Sequence, residues 1–247
     1  MRPVLISLKI LEEVASRQPI GTSELARCLD LSKTTVHRAL ASLAEAGWVE
    51  PTGEARKSWQ LSIHALVVAG RAVNSRAALR SVAIPVMEGL RRSTEETVHL
   101  VARYRDDVAL IERLDGIKPV RIFHPFGGRA PLHVTSSGKA ILANLPEPEL
   151  DLYLRKKLSD GGSAAKIQAL AKELQLVRRR GFAVNLGQNV PDANAVGAAI
   201  ISLSGRPFAA VTISAPSERM PEKLCLARGE LIKDAARRIS LGIRTPL

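Results

Sequence analysis

The residues best equipped for chemistry fall in two short runs. Ser32, Lys33, Thr34, Thr35, His37, Arg38 and Ser42 lie in LSKTTVHRALASLAEAGWVE, and Ser136, Ser137, Gly138 and Lys139 lie in VTSSGKAIL. In the first run, helical spacing turns Thr34, Arg38, Ala41 and Ser42 outward, flanked by Thr35 and His37. An outward guanidinium at Arg38 has the geometry for a bidentate contact to guanine, and Thr34 and Thr35 can offer hydroxyls or a methyl to base edges. Ser32 and Lys33, at the head of the helix, can seat a phosphate. The same polar face would equally serve a small helical domain that contacts protein. The second run gathers backbone N–H groups at a helix start, where the dipole favours an anion such as a carboxylate. An ordinary capped helix has the same sequence.

Catalytic readings of these residues fail on spacing. A phosphate-binding loop needs Gly five residues before Gly138 and Ser or Thr after Lys139, where His133 and Ala140 stand. Ser136 and Lys139 satisfy S-x-x-K, but the downstream SDN and KTG partners of penicillin-recognising hydrolases are missing. His99, His124 and His133 show no metal spacing and read as core or edge histidines. Cys28 and Cys225 lie far apart, form no CxxC and read as small core residues. No nucleophile, base and orienting group can be assembled, so no catalysis, metal or cofactor is expected. The alternative is a small-molecule enzyme carrying an N-terminal interaction module.

The elements that must position these residues follow from periodicity. Val4, Leu5, Leu8, Leu11 and Val14 mark a first helix that ends at Gln18-Pro19-Ile20-Gly21. Thr22 can cap a short second helix ending near Leu29. Asp30-Leu31-Ser32 is a tight turn, and Ser32 caps a third helix, Lys33 to Ala46, stopped by Gly47. Val36, Leu40, Leu43 and Ala44 form its inward stripe. WVEP and SWQLS, joined by TGEARK, make a hairpin whose Arg56 and Lys57 can add phosphate or minor-groove contacts. Three helices and a hairpin are a winged helix-turn-helix domain over residues 1–62, and residues 63–78 read as a linker helix.

Residues 79–247 have a different texture. A helix from Leu79 should kink at Pro85. Strands are expected at TVHLVARY, DVALIERL, VRIFH, AVGAAIISL and FAAVTIS. Helices are expected from Ser136, over ELDLYLRKK, from Ala164 to Arg180, and from Pro221 to Leu241. The class is α+β, with a sensor-like sheet domain following the winged helix.

The chain has 247 residues, 46% of them apolar, enough for two cores, and a net charge of +12 with a pI near 10.3. Such charge favours nucleic acid, then an acidic membrane surface, as partner. Yet residues 1–76 hold ten Lys/Arg against seven Asp/Glu, only +3 of the +12, so charge alone would misplace a DNA site. The clusters RKK at 155–157 and RRR at 178–180 fall near helix ends, where cations complement the dipole. A cytosolic location is expected, since no apolar run reaches 18 residues and the N-terminus lacks a cleavage pattern.

Five segments, in this order and spacing, resemble the IclR family of transcriptional regulators: TSELARCLDLSKTTVHRALASLAEAGWVE, SWQLSIHALVVAG, LRSVAIPVMEGLRRSTEETVHLV, PLHVTSSGKAILA and GFAVNLGQNVPDANAVGAAI. The resemblance implies a winged helix that reads an operator in double-stranded DNA. It also implies a C-terminal GAF-like α/β domain binding a small effector, in a homodimer or dimer of dimers. It carries effector contacts onto the Ser136 and Ser137 amides and onto Asn185, Ala195, Thr212 and Ser214. The sequence departs from the family pattern at Asn185, where Asp is usual, Gln188, where Glu is usual, and Ala195, where Cys is common. Ile201 and Ser202 replace an aromatic and an Asp or Asn. Two potential negative charges and a thiol are thereby removed, which opposes an anionic effector less and points to a small organic acid.

Overall fold

The inward stripes of the first three helices meet as the sequence requires. In the computed structural model, which describes residues 3–53, 57–73 and 77–243, the chain divides into two units at Arg76/Ala77. In the first unit, α1 (Pro3–Arg17), α2 (Thr22–Leu29) and α3 (Lys33–Glu45) bury Ile10, Val14, Leu25, Val36, Leu40 and Leu43 around one core. Ala39 is buried with them, while Ala44 is only partly so. Helix α2 opens at Gly21, not at Thr22. The chain is still extended there because Ile20–Gly21 (β1) pairs with Trp59 and Ser58, and Thr22 Oγ1 accepts from the Trp59 indole at 3.3 Å instead of capping. Between α2 and α3, Asp30 takes a left-handed conformation with φ 52°, and Leu31 N–H returns to Ala26 O at 2.9 Å. Strands β2 (Val49–Thr52) and β3 (Ser58–Leu61) form the hairpin, so the sheet has the order β1-β3-β2 and is antiparallel. Helix α4 covers Ile63–Val73. Cys28, expected in the core, is exposed on α2, because the buried positions of that short helix are Leu25 and Ala26.

The second unit is a six-stranded antiparallel sheet with helices on both faces. Its strands are β4 (Thr97–Tyr104), β5 (Asp107–Leu114), β6 (Arg129–Pro131), β7 (Ala183–Leu186), β8 (Ala193–Ile201) and β9 (Pro207–Pro216), in the order β6-β5-β4-β9-β8-β7. Alternation sorts each strand: Val98, Leu100, Val196, Ala198, Val211 and Ile213 face α5 (Ala77–Thr94), α9 (Glu222–Ala227) and α10 (Gly229–Gly242). The opposite face receives α6 (Ser136–Ala143), α7 (Glu147–Ser159) and α8 (Ala164–Arg180), around Leu132, Ile141, Leu142, Tyr153, Leu174 and Val177. Among the described residues no helix is long and apolar enough to cross a membrane.

Three expectations change. VRIFH is not a strand: the outer edge of β5 pairs with Arg129–Pro131, leaving 120–124 no partner. Its backbone is held by side chains, with Arg219 donating to Val120 O at 2.8 Å and Arg113 to His124 O. Strand β7 was not anticipated. The last helix is two, broken at Arg228, where Gly229 lies against the Phe182 ring and a β-carbon would fall 2.1 Å from Phe182 Cζ. Helix α5 runs through Pro85, and Gly181 closes α8 with φ 85°.

Gly229→Ala should therefore lower the unfolding free energy by about 1–3 kcal/mol through overpacking against Phe182. Urea denaturation of the full chain checks this; a loss below about 0.5 kcal/mol would show that the ring yields freely.

Candidate functional site

The polar face of α3 is built by a cap and a stripe. Ser32 Oγ accepts from Thr35 N–H at 3.1 Å and lies 2.8 Å from Thr35 Oγ1, so the two hydroxyls satisfy each other. Burial of Val36, Ala39, Leu40 and Leu43 turns Lys33, Thr34, His37, Arg38, Ala41 and Ser42 to the exposed side, with Thr35 half-buried at its margin. Among the described residues, no ion pair engages Lys33, His37 or Arg38. Gly47, at φ 78°, turns the chain after α3, and Trp48 N–H closes it on Leu43 O at 2.8 Å. Lys57 is exposed immediately before β3, and Arg56 lies outside the described residues. An exposed helix with a cationic head and the groove-filling width of a bare helix is suited to the DNA major groove.

Several cations in the basic runs of the second unit are engaged within it. Arg178 Nε donates to Ala143 O at 2.6 Å and its Nη2 to Leu145 O at 3.0 Å, capping the end of α6. Arg180 Nε donates to Phe182 O at 2.6 Å, and Lys156 pairs with Asp106. These cations already answer carbonyls and a carboxylate.

A cavity of about 380 Å³ opens on the α6 side of the sheet. Ser136, Ser137, Asn185, Ala195, Thr212 and Ser214 all line it, and Val101, Val108, Leu110, Ile122 and Val190 supply apolar wall. Thr135 Oγ1 caps α6 by accepting from Gly138 N–H at 3.0 Å, and Lys139 N–H reaches Thr135 O at 2.9 Å. The Ser136 and Ser137 amides precede the first intrahelical bond and stand at the cavity wall. Two glycines allow this. A β-carbon at Gly138 would fall 2.2 Å from Leu132 O in the 3₁₀ turn Leu132–Val134, and one at Gly197 would fall 3.1 Å from Ser137 N.

Asn185 is tied to its scaffold: its Nδ2 donates to Val134 O, and its Oδ1 accepts from Gln188 N–H at 3.1 Å. An aspartate could not make the first bond. Lys139 is fully buried, with Nζ on Glu173 Oε1 at 2.7 Å and on Gln188 Oε1, so it is no base for Ser136. Among the described residues no group of His, Cys, Asp and Glu could hold a metal ion.

His99 and His124, read as core or edge residues, are cavity-lining neighbours, with ring centroids 5.3 Å apart. His133 is elsewhere, with Nδ1 2.9 Å from Tyr153 Oη. Burial drives the His99 imidazole down to about 3, helped by His124 and Arg113. Burial, then Arg113, also lowers His124. The alternation of TVHLVARY does place His99 opposite Val98 and Leu100. What a single sequence does not disclose is that β9, bearing Thr212 and Ser214, pairs beside it.

Residues 3–53 match the IclR helix-turn-helix domain, and residues 71–241 match the family described as bacterial transcriptional regulator IclR, C-terminal. The chain belongs to the IclR family. Like that family, it is a DNA-binding transcriptional regulator. It is 33% identical over 232 residues to the HTH-type transcriptional repressor AllR of Escherichia coli strain UTI89, covering 92% of this chain and 85% of the relative. It is 28% identical over 240 residues to the transcriptional repressor IclR of Escherichia coli K12, covering 95% and 87%. An IclR homolog from Microbacterium hydrocarbonoxydans, solved in complex with 4-hydroxybenzoate, superposes with a TM-score of 0.77 at 24% identity, covering 97% of this chain and 98% of that one. In this IclR-family chain, the helix-turn-helix and the cavity are thus carried by separate units.

The histidine burial has a thermodynamic consequence. The unfolded chain protonates His99 near its ordinary value of 6.5, whereas the folded chain holds it to about 3. Between those values the unfolded state binds more protons, so stability present above pH 6.5 is lost as the pH falls. Urea midpoints at pH 7 and pH 5 should show this loss in the natural protein and a shallower one in His99→Asn; equal slopes would contradict it.

Proposed function

We propose that the exposed face of α3 reads a short, roughly palindromic operator in the major groove. Arg38 would contact guanine, and Thr34, Thr35, His37 and Ser42 would lie along base edges and sugar-phosphate. Ser32 and Lys33 would seat a phosphate, and Arg56 and Lys57 of the wing would add backbone or minor-groove contacts. The observation that carries this reading is the uncompensated cationic head of α3, exposed in a unit of modest net charge. Specific contacts, more than bulk attraction, must then supply discrimination.

The regulator would act as a homodimer, or a dimer of dimers, in the cytoplasm. Val4, Leu5 and Leu8 on α1 and Ile63, Leu66 and Val67 on α4 expose apolar side chains at helical spacing, which a second copy would cover.

The second unit would be a GAF-like effector domain. Its cavity would take a small organic acid whose carboxylate meets the Ser136 and Ser137 amides, with Asn185, Ala195, Thr212 and Ser214 around it. The size of the cavity, near the lower end of the ~300–1,000 Å³ common for small-molecule sites, supports a compact ligand. The 4-hydroxybenzoate held by the Microbacterium protein supports the same class. Effector and operator would be linked because the acid binds two arrangements of the protein with different affinity, and residues 63–78 join the two units covalently.

Genome-wide footprinting on host DNA at near-physiological salt should reveal a few sites sharing an inverted repeat. Scattered binding without common sequence, lost steeply with salt, would refute base reading by α3. On a site so found, Arg38→Ala should weaken binding by about 1–3 kcal/mol with the melting temperature unchanged. Lys33→Ala should weaken all sequences alike and reduce the salt slope by about one. Anisotropy titrations across a salt series measure both.

A further inference from the structure

Helix α4 is almost bare of contacts that could hold its direction. Every residue from Leu66 to Gly70 is exposed, Leu66 at 67%, so the core of the first unit does not grip this stretch. Its direction is fixed in its first turn. Ser62 is the single residue between β3 and α4, and its N–H donates to Trp48 O at 3.0 Å. Its Oγ donates to Gly47 O and accepts from His64 N–H at 3.1 Å. One hydroxyl thus caps α4 and also ties it to the turn that ends α3. The His64 ring completes the joint in an edge-to-face contact with the Trp48 indole, centroids 5.1 Å apart and planes at 87°. That ring lies over Gly47, where a β-carbon would come 3.9 Å from His64 Cγ.

We propose that Ser62, His64 and Trp48 are positioning residues that aim α4 relative to α3 and so set the spacing between the operator half-sites that the regulator accepts. This rests on the proposed reading that a second copy covers the apolar side chains of α1 and α4. Where α4 is held by a second copy, the distance and rotation between the two α3 helices follow from the angle between α3 and α4 within each copy. Few atoms carry that angle. Gly47 and Trp48 follow α3 directly, and Trp48 N–H returns to Leu43 O at 2.8 Å, so the surface gripped by the joint is continuous with α3. Trp48 also packs against the core of the first unit, which makes it the fixed side. His64 is exposed, so its ring contributes aim and little burial.

Lever length sets the sensitivity. A helix of 11 residues, rising about 1.5 Å per residue, is roughly 16 Å long. With its far end held by a second copy, a tilt of about 10° at the base moves the winged helix by about 3 Å, close to the roughly 3.4 Å between successive base pairs. One base pair also turns a half-site by roughly 35° about the DNA axis, which a dimer with a stiff joint cannot follow. The Ser62 hydroxyl makes cap and aim separable. A carboxylate at position 62 would still accept from His64 N–H and cap α4, but it has no proton to donate to Gly47 O.

Selection of bound sites from random-sequence duplexes, run in parallel on the full chain and its variants, tests this by reading half-site sequence and spacer length separately. The natural protein should select an inverted repeat with one dominant spacer, favoured about tenfold or more over spacers one base pair longer or shorter. His64→Ala and Ser62→Asp should select the same half-site, with melting temperatures within about 4 °C of the natural protein, yet reduce the spacer preference to about threefold or less. His64→Phe, which keeps an aromatic ring against Trp48, should retain the preference. Unchanged spacer preference in both His64→Ala and Ser62→Asp overturns the inference while the homodimer stands. A changed half-site sequence in the folded variants also overturns it, because the joint would then shape α3 instead of aiming α4. Single half-sites selected by the natural protein, or a monomer in analytical ultracentrifugation, overturn the homodimer reading and the inference together.

Discussion

The start of α6 lies so close to the sheet that the crossing tolerates no β-carbon. Gly197 on β8 leaves room for the Ser137 amide, and Gly138 leaves room for the 3₁₀ turn that delivers the chain to the helix. With those positions filled by hydrogen, Thr135 can cap, Lys139 can run inward to Glu173, and Asn185 can reach across to Val134 O. The cavity is the space that remains where α6 ends its approach and the strands continue outward to β5. Its polarity is inherited from the pleat: the residues that alternate with the Val, Ile and Ala of the large core are His99, Thr212, Ser214 and Asn185. One face of the sheet carries the larger core, and the other sets buried polar groups beside a second core and the cavity.

Much of this was legible from the amino acids. Punctuation by Ser32, Gly47 and Gly181 fixed the ends of helices, because an N-cap hydroxyl and a left-handed C-terminal residue are local requirements. The outward face of α3 followed from Val36, Leu40 and Leu43 alone. Less legible were features that depend on distant partners. Thr22 has the residue type of a cap, but the pairing of Ile20 and Gly21 with β3, nearly forty residues away, moves the cap position to Gly21. VRIFH has the composition of a strand, yet the edge it needed is occupied by Arg129–Pro131. The last helix looked continuous because helical periodicity says nothing of the Phe182 ring packed on Gly229. In the cavity, the family resemblance points to positions on α6, β7, β8 and β9, whereas His99 reads from the sequence only as a core or edge histidine, because its place in the lining comes from its neighbours in the ladder.

Charge tells a similar story. The larger share of the positive charge belongs to the second unit, and much of it turns out to serve carbonyl oxygens and carboxylates within that unit, as with Arg178, Arg180 and Arg219. Arg219 grips buried Glu96 with two bonds of 2.9 and 2.8 Å and also holds Val120 O, so it fastens the irregular 115–128 stretch beside the cavity. Net charge is therefore a poor guide to the DNA-binding unit, since residues 3–53 match the helix-turn-helix domain while most of the excess charge lies in the second unit.

The arrangement of the sheet has a consequence for life in a concentrated cell. Its long strands, β4, β8 and β9, are all interior, while the outermost strands β6 and β7 are three and four residues long. Beyond β6 the exposed flank of β5 is met by the 127–128 turn, with Leu110 bonded to both Gly127 and Gly128. Little continuous backbone is left for a foreign strand to extend. A domain whose strands alternate so regularly would otherwise be a template for edge-to-edge growth, and its short borders guard against that aggregation.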